Sequence, residues 1–209
     1  MRKNVKKQLA LRVLSTAALV AMVSSIATAA FADTYDLNTG SVTVETKEDG
    51  ITYVTQLDKT QTDGYARNDN ADILHDYQDK TGVTITSDGR QTSNTITVET
   101  AKDQTTDVTL EDVFINREGA RRSDSEAALT VKGDGDTNIE LNGDNTVLVE
   151  NRWSEEHAAI EKADAYGKGT LTIKDDVNDN GTAKTGTDED TTGKLLAGGY
   201  HNSAAIGGG

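Results

Sequence analysis

The sequence predicts an all-β fold, a right-handed parallel β-helix, and three observations predict it. A unit beginning with two alanines and an aliphatic residue recurs at Ala127, Ala158 and Ala204. Within the units apolar residues alternate with Thr, Glu or Lys: Val108 and Leu110, Ile139 and Leu141, Leu171 and Ile173. The chain also contains no proline, which suits strands paired on both sides, because proline cannot donate to a sheet ladder. Handedness follows from the strong right-handed preference of parallel connections.

From the N-terminus, "MRKNVKKQLALR" carries five basic residues and no acid, followed by the apolar run Val13 to Ile26 and the small residues "ATAAFA". A basic head, a short apolar middle and a small-residue site describe a secretory signal peptide over residues 1–32, cleaved after Ala32. The alternative, an uncleaved membrane anchor, suits the sequence less well, because the run is short and broken by Ser and Thr. Cleavage removes five positive charges and no negative one, taking the net charge from −14 to about −19. Such a surface repels nucleic acid and anionic membrane and suits cations, basic partners or neutral glycans. The acidity equally serves solubility alone. There is no cysteine, so an exported chain here does without disulfides.

Residues 33–93 are expected to form an N-terminal capping β region. Two strand-like runs flank Glu48-Asp49-Gly50, a hairpin turn, and "YARNDNADILHDYQDK" is polar and irregular. A β-stack needs such a cap to protect its first edge. The coils are expected over 94–209. Each unit passes through a Gly/Asp turn, a strand such as "TNIELNG" or "GTLTIKD", a second apolar run ("TVLVEN", "KLLAGG") and a polar loop. The first two Ala pairs are 31 residues apart and the next two 46. The surplus is the low-complexity insertion 177–193, placed at one corner, where stacked coils tolerate insertions. The closing "HNSAAIGGG" begins a coil that the chain does not finish. The helix is therefore expected to be C-terminally truncated, the N-terminal part of a longer protein.

The phrases "YDLNTGSVTV", "DVTLEDVFI", "AALTVKGDGDTNIELNGDNT" and "LLAGGYHNSAAIGGG" resemble bacterial secreted carbohydrate-binding domains. That family is calcium-associated, and its fold resembles that of the pectate lyases. The resemblance covers most of the chain after the signal, most closely from about Asn94 onward. It implies a secreted or cell-surface module that binds polysaccharide or surface glycan, or serves adhesion, without catalysis. It transfers no calcium ligands residue by residue.

Two candidate sites follow from the residues. Stacking the units superposes the loops "GARRSDSE", "NRWSEEH" and "GGYHNS" that precede each Ala pair. Arg121 then falls level with Arg152, Arg122 with Trp153, and Tyr200 within one residue of that level. Aromatic faces suit the apolar faces of sugar rings, and arginine suits carboxylates on acidic sugars. The plain alternative is that Trp153 packs against a neighbouring loop. The second candidate is a calcium site. Asp176, Asn178 and Asn180 precede Gly181 with the spacing of the first half of an EF-type loop. The second half departs from it, since the twelfth position is Thr187 and not a bidentate Glu. Gly133 to Asp136 and Asp144-Asn145 are weaker versions, and Asp/Asn/Gly turns are also a common way to round a corner.

A polysaccharide lyase would need a proton-abstracting base beside calcium-holding carboxylates. Arg121, Arg122 and Arg152 near Glu155 and Glu156 could be cast in that part, but solvated loop charges explain them as well. His75, His157 and His201 form no triad or metal-binding pair in the sequence. The expected function is binding or adhesion, with a lyase for acidic glycans or a purely structural adhesin stalk as alternatives.

Overall fold

In a computed structural model, the structure describes residues 33–57, 73–78, 83–118, 126–150, 157–163, 167–175, 193–199 and 204–208. These contain sixteen strands and no helix. The strands are β1 (Asp33–Asp36), β2 (Val42–Thr46), β3 (Thr52–Leu57), β4 (Ile73–Gln78), β5 (Val83–Thr86), β6 (Gln91–Thr92), β7 (Ile96–Thr100) and β8 (Thr105–Glu111). They continue as β9 (Phe114–Asn116), β10 (Leu129–Lys132), β11 (Asp136–Asn142), β12 (Asp144–Val149), β13 (Ile160–Lys162), β14 (Leu171–Asp175), β15 (Lys194–Gly199) and β16 (Ile206–Gly208).

Three sheets result. Sheet I has the order β1-β5-β8-β11-β14, sheet II β16-β13-β10-β7-β2-β3-β4, and sheet III β15-β12-β9-β6. From β5 onward the chain visits sheets I, III and II in the same order four times. Every pairing is parallel except β2–β3 and β3–β4. The Ala-Ala-aliphatic repeat sets the register in sheet II: Leu129 lies opposite Ile160, and Ile160 opposite Ile206. Those offsets equal the two repeat spacings read from the sequence.

Alternation decides which side chains enter the interior. In β8, Thr106, Val108 and Leu110 are buried, while Thr105, Asp107 and Glu111 are exposed. The β11 residues Thr137, Ile139 and Leu141 do the same directly beside them. The core therefore stacks residues of like kind: Ile85, Leu110 and Leu141 in sheet I, Val44, Val98 and Val131 in sheet II, Ile115 and Val147 in sheet III. Ala128 and Ala159 are fully buried where the chain enters sheet II, a place with room for a methyl group.

Polar groups also enter the interior, and two sets of them pair there. Where sheet II turns into sheet I, the hydroxyls of Thr52, Thr46, Thr106, Thr100 and Thr137 form one continuous chain of hydrogen bonds, with O···O distances of 2.9, 2.6, 2.7 and 3.0 Å. A hydroxyl both donates and accepts, so such a ladder satisfies itself without water. At the corner between sheets I and III, Asn145 accepts from the Val113 amide and donates to the Asn142 carbonyl, at 3.0 and 2.9 Å. Gly143 in the same corner has φ +65°, and a Cβ there would overlap Asp112 Oδ1 in the coil beneath.

The region expected to cap the stack is divided. β1 and β2 already lie in parallel ladders beside β5 and β7, as do β5 and β6 beside β8 and β9. Only β3 and β4 run antiparallel, at one end of sheet II. The turn between β2 and β3 is the predicted Glu48-Asp49-Gly50 hairpin, with Gly50 at φ +76° and the Gly50 amide donating to the Lys47 carbonyl at 2.9 Å.

Candidate functional site

The connections from sheet III to sheet II leave from stacked strand ends. Asn116 at the end of β9 lies beside Leu148 in β12, and Leu148 beside Gly198 in β15. They arrive at stacked strand starts, where Leu129, Ile160 and Ile206 are neighbours. Three connections, 117–128, 150–159 and 200–205, thus have their anchor points one above another. Arg121, Arg122, Arg152, Trp153 and Tyr200 belong to these connections, and all five lie outside the described residues. So do Glu155, Glu156, the signal region 1–32, and the calcium candidates Asp176, Asn178 and Asn180.

The first connection is anchored at its described base. Arg117 is buried, donates from Nη1 to the Ser93 carbonyl at 2.7 Å and meets Glu126 at 3.2 Å. It ties the connection to the coil beneath. The second connection ends at His157, whose Nδ1 lies 2.8 Å from Oε2 of the buried Glu161 in β13. Both contacts fix the roots of loops.

The weaker calcium candidates serve the stack. Asp136 accepts from the backbone and hydroxyl of Thr170, one coil on, at 2.9 and 2.8 Å. The Thr170 backbone bond first, and its hydroxyl second, hold the Asp136 carboxyl below its usual pKa. Asp134 accepts from the Lys168 amide at 3.3 Å. Asp144 meets Lys194 at 3.0 Å. Among the described residues no three His, Cys, Asp or Glu side chains come together as a metal site. An open groove of about 1140 Å³ follows the corner between sheets II and I. Glu45, Glu99 and Asp134 line it together with Lys47 and Lys102, so both signs of charge are present.

The outer faces of the three sheets differ. Sheet I carries Thr84, Thr109, Glu140 and Lys174 outward, and sheet II carries Thr43, Thr97 and Thr130 in one row. Sheet III carries Gln91, Phe114, Thr146 and Leu196 in one row, and Asn116, Leu148 and Gly198 in the next. Leu196 is 61% exposed. The apolar residues of this outer face were not singled out in the sequence, although a signal is there. "VFI", "VLV" and "LLA" are unbroken apolar runs, and a strand apolar on both faces reads that way. No protein-family model, no curated protein and no solved structure matches this chain.

Proposed function

We propose that this chain is an exported, right-handed parallel β-helix that acts as a carbohydrate-binding or adhesive surface module without catalysis. One observation supports it above the rest: the strand register gathers the anchor points of three successive connections on one edge. The loops so anchored contain Arg121, Arg122, Arg152, Trp153 and Tyr200. Their anchor strands step by about 4.8 Å, and the proposal is that the aromatic and guanidinium groups of these loops meet one extended ligand. Calcium is the expected ion, with Asp176, Asn178 and Asn180 as its candidate ligands.

A glycan array probed with the protein in calcium and again in chelator tests the proposal. Binding to one glycan class, weakened at least tenfold by Trp153→Ala, is the expected result; that factor corresponds to about 1.4 kcal/mol. A blank array under both conditions leaves the structural stalk. Release of unsaturated uronates from a pectin-like substrate establishes a lyase instead.

A further inference from the structure

We infer that the outer face of sheet III is a second part of the glycan-binding surface, a flat platform for uncharged pyranose units. The inference rests on the carbohydrate-binding reading and names where the neutral portion of the ligand lies. Three successive coils each place an apolar side chain on this face: Phe114, Leu148 and Leu196. The outward positions of sheet I hold no apolar residue, and among the described residues the register of sheet II puts apolar residues outward only in the antiparallel β3 and β4 and at Gly207. Among the described residues no other sheet repeats an apolar outward side chain in three successive parallel strands.

The size of the face selects the occupant. Three strands at about 4.8 Å, with two outward positions each, give a strip on the order of 200 Å², half of whose positions carry apolar side chains. A stable protein interface needs about 800 Å² per partner, so the strip is too small for a second protein. A pyranose ring is about as wide as one strand spacing and has an apolar face of axial C–H groups. Between Phe114 and Leu196 stands the Thr146 hydroxyl, and the exposed Gln91 amide ends the same row; both suit ring hydroxyls, whereas the buried Asn116 amide is taken up by Glu150 and the Glu118 backbone. Gly198 has no side chain, and Leu148 Cδ2 lies 2.9 Å from where its Cβ would stand, so the Leu148 side chain spreads over the neighbouring strand. The charged groups, Asp144 and Lys194, form an ion pair at the rim. Sheet III is also the sheet from which the three connections depart, so the platform borders their anchor points.

The test measures binding of cellohexaose, xylohexaose and mannohexaose by calorimetry. The proteins compared are the wild type, Leu196→Lys, Thr146→Lys, and Thr109→Lys as a control on sheet I. At least one hexasaccharide should bind, with affinity reduced about tenfold or more by Leu196→Lys and by Thr146→Lys. Thr109→Lys should bind as wild type does. Because Leu196 is exposed, its substitution should leave the thermal midpoint nearly unchanged. Hexasaccharide binding that survives both platform variants but is lost in Trp153→Ala overturns the platform and leaves the edge standing. Binding confined to acidic glycans overturns the platform alone. Binding to no glycan overturns both. Conversion of an oligomer to a monomer by Leu196→Lys would instead make the strip a contact between copies of the chain, and would also overturn it.

Discussion

Replacing Gly143 by alanine tests coil-on-coil contact at one atom. Two costs arise there. The backbone sits at φ +65°, a region that costs a residue with a Cβ about 1–2 kcal/mol. The new Cβ would also meet Asp112 Oδ1 of the coil beneath, the same oxygen that accepts from the Asp144 amide at 3.0 Å. Displacing that exposed carboxylate loses a bond of about 1 kcal/mol. Gly89 provides the control, because it has φ +66° and nothing within 4 Å of its Cβ position. Urea unfolding should therefore show a loss of about 2–3 kcal/mol for Gly143→Ala and about 1–2 kcal/mol for Gly89→Ala. In an Asp112→Gly background the excess at Gly143 should vanish, a coupling of about 1 kcal/mol. Equal losses at the two glycines, or no coupling to Asp112, would refute the reasoning.

Two further predictions concern the polar interior and the corner carboxylates. Thr106→Val removes the central hydroxyl of the five-threonine ladder, leaving Thr46 and Thr100 one partner each. It should cost about 1–2 kcal/mol in urea unfolding, and Thr106→Ser should recover part of that. Because the pKa of Asp136 is lowered on folding, its contribution is complete above the unfolded value and is lost as pH falls through the folded one. Thr170→Val keeps the backbone bond and loses the hydroxyl bond, so its folded pKa should rise. The acid-range loss of stability should shrink, as followed by carboxyl NMR titration and by unfolding near pH 7 and pH 3.

The repeat was legible because identical register demands similar residues at similar positions. Ala127, Ala158 and Ala204 announce strand starts that do pair in the structure. The alternation at Val108/Leu110 and Ile139/Leu141 likewise gave the buried face of sheet I. The parallel pairing of β1 and β2 was not legible. "YDL" and "SVTVET" lack the Ala pair, and Val42 meets Ile96, 54 residues further along the chain. The threonine ladder was hidden for a different reason. Thr46, Thr100, Thr106 and Thr137 look like any surface threonine in a strand, and only three-dimensional closure of the corner brings their hydroxyls together. Of the candidate site, the order of its loops was readable and their anchor points are placed. The outer face of sheet III was not legible from alternation, because runs such as "VLV" are apolar on both sides.

The shared edge requires strands from successive coils to lie side by side in the stated register, since that register gathers the anchor points of the three connections. The absence of cysteine allows a clean cross-link test. Thr97 and Thr130 are directly opposed in β7 and β10, and Lys132 lies two residues further on. Neighbouring Cα atoms in parallel strands are about 4.8 Å apart, within disulfide reach, whereas the diagonal position at about 7–8 Å is not. Mild oxidation of Thr97→Cys/Thr130→Cys should give a nearly complete intramolecular disulfide, with little in Thr97→Cys/Lys132→Cys. Preferential cross-linking of the second pair, or of neither, would contradict the stacked register and with it the shared edge.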